Sequence, residues 1–204
     1  MKSIRTITAT WLVLSAAAWA GPNLLKNPGF ESSVTPQDWC ITWGSFAAEP
    51  FDGAPDGNSA GFIKGSWAGS GDNGGCVQRV QAAPGIDYEV SGMFYVKDGW
   101  TAAQRALKIE FFDASHNLLS ARMSDLNSLS EGKWYVHTVS AESPAGTDHI
   151  QVVVEASGVG GTGVLGFDDL TLKVKTSTRP VPTAFPPSAR EPSHRSLFPA
   201  RKDK

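Results

Sequence analysis

The sequence predicts an all-β protein, an antiparallel β-sandwich, and three observations carry that reading. Apolar and polar residues alternate in short runs from Trp39 to Val174. Turn signals rich in glycine and proline separate the runs. Helical periodicity is weak, residues 102–106 being enough for a turn or two at most. A chain of many short strands with such turns buries its apolar faces by stacking one sheet on another.

The first strands are expected at residues 39–43, 59–64 and 75–82. Pro84-Gly85 then turns the chain into a run in which Tyr88, Val90, Gly92, Phe94 and Val96 share one parity, against Glu89, Ser91, Met93, Tyr95 and Lys97. Leu107, Ile109 and Phe111 alternate with Lys108, Glu110 and Phe112, and Ser115-His116-Asn117 is the next turn signal. A strand at 134–140 follows. Ile150, Val152 and Val154 alternate with His149, Gln151, Val153 and Glu155, and a last strand is expected at 165–174. A period of two puts each set on its own sheet face. The apolar parity should face the core. The other parity carries Tyr95, Lys97, Glu110, Gln151 and Glu155. A plain solvent face would carry the same charges, but an aromatic among them points to a groove.

The flanks differ from this core. Lys2 and Arg5, the apolar run from Trp11 to Ala18, and Ala18-Trp19-Ala20 have the three parts of a secretory signal peptide over residues 1–20, cleaved after Ala20. That apolar run is too short to span a bilayer, and no other stretch is apolar enough. The expected product is secreted, extracellular or periplasmic, with no membrane span. Residues 21–175 form one domain with 10 basic and 18 acidic residues, a net charge of −8. Residues 176–204 hold six of the chain's 13 prolines and six basic residues against two acidic ones, a net charge of +4. This segment lacks the apolar periodicity to offset its ordering entropy, so a disordered tail is expected. Its charge suits contact with an anionic surface polymer, or simply a solvated terminus.

Several chemistries lack their residues. Gly158-Val159-Gly160-Gly161-Thr162-Gly163 fits a nucleotide-binding glycine pattern, but a strand rather than a helix N-terminus follows it. Gly65-Ser66-Trp67-Ala68-Gly69 puts tryptophan where a hydrolase elbow needs serine. No Cys/His spacing suits zinc, and the acidic domain argues against nucleic acid. The two cysteines, Cys40 and Cys76, are expected to form a disulfide in an oxidising compartment, two buried thiols being the alternative.

Two runs at opposite ends of the domain hold carboxylates at the edge of apolar segments. They are Asn23-Leu24-Leu25-Lys26-Asn27-Pro28-Gly29-Phe30-Glu31 and Phe167-Asp168-Asp169-Leu170. Such a pattern suggests one hard cation tying the ends together. Between them lie Trp39 and Trp43, Val77-Gln78-Arg79-Val80, Pro84 to Gly92, Phe111-Phe112-Asp113-Ala114, Trp134 and Pro144-Ala145-Gly146-Thr147. In this order and spacing the chain from Asn23 to Val174 resembles the jelly-roll carbohydrate-binding modules associated with cellulases and xylanases. The resemblance implies a jelly roll, a structural Ca2+ and a sugar groove on one sheet. It implies Glu31 and Asp168 as calcium ligands with carbonyls near Gly29 and Asn58, Asp52 and Asp56 being possible extras. It places Trp43 where such modules stack a sugar ring.

An indole offers a flat apolar surface to the C–H face of a sugar, and Gln, Arg, His and Glu side chains bond the hydroxyls. Tyr95, Gln151, Glu155 and His149 have the parity for this, Arg79 is a further candidate, and Trp67 and Trp100 are expected at the rim. Trp39 and Trp134 are expected in the core. The reading is a non-catalytic domain that binds a polysaccharide or oligosaccharide. Two alternatives stay open: a jelly-roll glycoside hydrolase or lyase using Glu89, Glu110 or Glu155, and a structural or adhesion domain without a glycan ligand.

Overall fold

The computed structural model describes residues 21–35, 38–69 and 72–175. The expected signal peptide and the basic tail lie outside the described residues. Ten strands run in chain order: β1 (Ile41–Gly44), β2 (Phe46–Pro50), β3 (Ser59–Lys64), β4 (Asn73–Gln81), β5 (Asp87–Lys97), β6 (Gln104–Phe112), β7 (Leu118–Asp125), β8 (Trp134–Glu142), β9 (His149–Ser157) and β10 (Val164–Val174). They form two five-stranded sheets of order β1-β4-β9-β6-β7 and β2-β3-β10-β5-β8. Every ladder is antiparallel. This is a jelly-roll β-sandwich.

The alternation of the sequence explains the core. Leu107, Ile109 and Phe111 of β6 and Ile150, Val152 and Val154 of β9 face Val90, Phe94 and Val96 of β5 and Leu165, Phe167, Leu170 and Leu172 of β10. Phe167 is fully buried and makes ring contacts with Phe30, Phe46 and Phe94. Removing that ring would cost about 3–5 kcal/mol. Trp39, Trp100 and Leu126 are buried in the same core.

The N-terminal run is held to β10 without being a strand. The Asn23 side chain donates to Leu170 O and accepts from Leu25 N and Leu172 N. The buried Gln78 of β4 accepts from Lys26 N and donates to Lys26 O. These two hydrogen bonds satisfy a polar side chain inside an apolar core.

β10 carries an irregularity that matters below. Asp168 pairs with Met93 but Thr171 pairs with Ser91, so one residue is extra, and Asp169 adopts φ 46°. A bulge of this kind kinks the strand while letting Phe167 and Leu170 both face the core.

Three expectations about elements are corrected. β2 and β7 were not expected, and residues 104–106 belong to β6 rather than to a helical turn. β2 is short and alanine-rich, and β7 is an edge strand whose residues are mostly exposed, so neither shows clean alternation. The disulfide is absent: Cys40 and Cys76 are both free thiols. Thr42, not Cys40, is the partner of Cys76 across the ladder. Cys40 therefore sits on the diagonal, about 7–8 Å away between α-carbons, beyond the usual disulfide span. Among the described residues no helix is long and apolar enough to cross a membrane.

Candidate ligand-binding face

The outer face of the β1-β4-β9-β6-β7 sheet is built in rows by strand register. Trp43 pairs with Gly75, Gly75 with Glu155, Glu155 with Ala106, and Ala106 with Asp125. The next row is Ile41, Val77, Val153, Lys108 and Met123, and the third is Arg79, Gln151, Glu110 and Ala121. A period of two within each strand carries all three rows to one face.

Trp43 stands at one end. A Cβ built on Gly75 would lie 2.4 Å from indole carbons of Trp43, so the ring covers Gly75 and needs a residue with no side chain beneath it. The ring is only half-buried. Lys108 is at the centre. Its Nζ contacts Glu155 Oε1 and lies 4.0 Å from Glu110 Oε1. Burial pushes the Glu110 carboxyl above its usual range, with Lys108 opposing and Glu155 reinforcing the shift. At the other end a cleft of about 260 Å³ opens between Arg105, Lys108, Met123, Asp125, Asn127 and Glu155. Arg105 lies over the buried Trp100 ring at 5.3 Å and donates to Asn127 O. A half-exposed aromatic surface, an apolar floor at Val77 and Val153, and a row of charged and amide groups thus share one open face. Donors, acceptors and an apolar plane together are what recognition of a polyhydroxylated ring needs.

The face gathers Trp43, Arg79, Gln151 and Glu155 as expected. Tyr95 is not among them. β5 belongs to the other sheet, where Phe62, Gly166, Tyr95 and Trp134 form a row under Phe51. Alternation fixes which residues of one strand share a face, but not which sheet the strand joins. The same reason moves Lys97 and Glu89 to that sheet, where Glu89 accepts from Ser140 and pairs with Lys175. Trp134 lies on the outer surface there, not in the core. Trp100, expected at the rim, is 3% exposed and packs in the core under Arg105. His149 has the right parity but is 1% exposed, covered by Phe112 and His116. Trp67 lies in a short 3-10 turn, and its side chain is outside the described residues. Lys108, Arg105 and Met123 were not singled out from the sequence. Lys108 was legible as a member of the groove parity, between Leu107 and Ile109.

A second feature lies at the opposite sheet, beside the β10 bulge. Asp168 is fully buried. Its carboxylate accepts from Asp56 N at 2.9 Å and Asp169 N at 2.7 Å. Glu31 accepts from Asn58 N at 3.0 Å and Ser59 N at 2.8 Å. The two acids thus bind three amides of one short segment, those of Asp56, Asn58 and Ser59. Gly29 forms one wall: a Cβ there would lie 2.6 Å from Asp56 Oδ2 and 3.4 Å from Asp168 Oδ1. Burial pushes the Asp168 carboxyl up to about 6, opposed by the two N–H bonds and reinforced by the charges of Asp56 and Asp169. Asn27, Phe30 and Asp169 around it all adopt positive φ, backbone held against local preference.

A buried carboxylate, Asp168, facing an exposed one, Asp56, across Gly29 is an electrostatic setting that suits an oxygen-ligated cation. Among the described residues no three His, Cys, Asp or Glu side chains converge as a metal cluster. Backbone carbonyls would have to complete a shell, which hard cations accept. Asn58 O already accepts from Phe51 N at 2.9 Å and has a second lone pair. Asp52 is exposed, and Asp56 rather than Asp52 is the acid that reaches the cradle.

No family model matches the chain, and no curated protein matches it in sequence. Solved structures do match in fold. A family 61 carbohydrate-binding module solved with β-1,4-galactotriose aligns with a TM-score of 0.53 at 18% identity, over 76% of this chain and 100% of that one. The CBM22-1 xylan-binding domain of Xyn10C from Paenibacillus barcinonensis aligns with a TM-score of 0.52 at 18% identity, over 79% and 99%. The enzymatically active domain of tailspike protein 4 from bacteriophage CBA120 aligns with a TM-score of 0.59 at 11% identity, but this chain spans only 21% of it. The domain therefore has the jelly-roll fold of carbohydrate-binding modules.

Proposed function

We propose that residues 21–175 are a non-catalytic carbohydrate-binding domain. A neutral oligosaccharide or polysaccharide lies across the outer face of the β1-β4-β9-β6-β7 sheet, one ring stacked on Trp43. The observation that carries this reading is the half-exposed Trp43 indole over Gly75, in one row with Glu155 and next to Lys108, Glu110, Gln151 and Arg79. Two neighbours in fold are described with galactotriose or as xylan-binding, which supports the ligand class. Lys108 and Arg79 together match the charges of Glu110 and Glu155, and strongly anionic glycans would meet a face without surplus positive charge. Glycan-array binding by the secreted chain and its Trp43→Ala variant tests this.

A structural Ca2+ at the Asp168 cradle belongs to the proposal. Asp168 and Asp56 would hold it with carbonyls near Gly29 and Asn58, while Glu31 fixes the loop through Asn58 N and Ser59 N. It would neutralise the buried charge and lock the 56–59 loop to β10. Secretion through the N-terminal signal, and contact of the basic tail with an anionic surface polymer, complete the reading.

One observation favours an enzymatic alternative. Glu110 and Glu155 share Lys108, yet burial raises Glu110 while Glu155 is paired, and carboxylates in unlike environments are what glycoside hydrolysis uses. Glu155→Gln separates the readings. It would abolish hydrolysis by an enzyme, but would only weaken binding by a non-catalytic domain.

A further inference from the structure

We propose a transition-metal site formed by His149 and His116, at the end of the same sheet face, one row beyond Arg79, Gln151 and Glu110. His149 opens β9, and its ring stacks on Phe112 with 5.3 Å between centroids and 6° between planes. Its Nδ1 lies 3.0 Å from Asp148 Oδ2. A carboxylate only accepts, so Nδ1 carries the proton, and in that tautomer Nε2 holds the lone pair. That Nε2 is shut off from solvent and has no hydrogen-bond partner. A buried nitrogen with an unused lone pair calls for a physical reason. The ring of His116 lies edge-on against the His149 ring, 5.1 Å between centroids and 68° between planes.

His116 is presented by a rigid turn. Its N–H donates to Asp113 O, and the Asp113 carboxylate accepts from Ser115 N, Asn117 N and Asn117 Nδ2. His116 itself sits at φ 62°, a conformation uncommon for a side-chain-bearing residue. Strain of this kind persists where surrounding bonds over-determine it, and it often marks a functional position. Carboxylate, imidazole and open lone pair in sequence are the arrangement of a metal-ligating histidine, the carboxylate fixing the tautomer. Two imidazoles favour Cu2+, Ni2+ or Zn2+ over the hard cations Ca2+ and Mg2+. His116 is exposed, and rotation of its ring off His149 would open the covered Nε2 to an ion shared by the two imidazoles.

The test uses the full chain, cleared of metal with a chelator and titrated with Zn2+ while the histidine ring resonances are followed by NMR. The rings of His116 and His149 should shift together and that of His137 should not. Affinity should rank Cu2+ above Zn2+ and Zn2+ above Mn2+. His116→Ala changes an exposed side chain, so the fold should be kept while Zn2+ affinity falls about tenfold or more. Asp148→Asn should weaken Zn2+ by about 10–100-fold. The proposal is overturned if Zn2+ shifts neither ring, if Ca2+ competes with Zn2+ for them, or if His116→Ala binds Zn2+ as tightly as the parent.

Discussion

The Trp43 indole occupies the space above Gly75, so closely that a β-carbon there would lie 2.4 Å from the ring and 2.5 Å from Val154 O. Two residues far apart in the sequence thus create a single aromatic surface. Gly75→Ala should displace the ring and overpack the ladder, lowering stability by about 1–3 kcal/mol. Glycan affinity should fall with it. Denaturant unfolding alongside glycan titration reads both effects, and unchanged values for both would show that the ring does not depend on Gly75.

Lys108 separates Glu110 from Glu155. Lys108→Met should leave two facing carboxylates and push the already raised Glu110 carboxyl further up. The sign follows from linkage: a carboxyl raised in the folded state disfavours folding once it ionises, so the variant should lose stability as pH rises above the usual glutamate value of 4.5. Melting curves across pH 4 to 8 check this. A variant whose pH profile parallels the parent's would place Glu110 and Glu155 too far apart to interact.

Asp168 gives a pH signature of its own. With its folded carboxyl at about 6 against an ordinary 3.8, chelator-treated protein should become less stable as pH rises between those values, by roughly 2–3 kcal/mol in total. Calcium binds the ionised form and should remove that loss. At calcium about 100-fold above Kd, stabilisation should be about 2.7 kcal/mol, a rise of roughly 5–10 °C in Tm. Asp168→Ala should abolish the calcium response. Identical melting in calcium and in chelator would leave the cradle without a cation.

The thiols should differ in reactivity. Burial pushes the Cys76 thiol well above its usual range, while Cys40 is half-buried and donates to Val77 O. The thiolate is the reactive form. Alkylation of native protein followed by mass spectrometry should label Cys40 first and Cys76 only on unfolding. A Cys40–Cys76 cross-linked peptide would contradict the register of β1 on β4.

The fold was legible because alternation is a local signal. Val90 and Phe94, Leu107 and Ile109, and Val152 and Val154 all face the core as their parity requires. What parity cannot carry is the choice of sheet, so Tyr95 of β5 and Gln151 of β9 looked like neighbours and lie on opposite layers. Strands without contrast were also hidden: β2 is only five residues, two of them alanine, and β7 is polar or exposed on both faces. Burial by neighbours from other strands was equally out of reach. Trp100 lies under Arg105 and His149 under His116, contacts that only the assembled sandwich makes. Resemblance singled out Trp43 and parity Gln151 and Glu155, and only the pairing of β1 with β4 and of β4 with β9 brings them and Arg79 to one face.

The central claim is that this sheet face binds a glycan through Trp43. The most direct measurement is binding of the protein to a broad glycan array with calcium present, beside a Trp43→Ala variant shown to keep its fold by circular dichroism. The account predicts binding to a defined set of neutral glycans, lost at least about tenfold in the variant, an effect of about 1.4 kcal/mol or more. No binding across the array by folded protein, or equal binding by the variant, would contradict it.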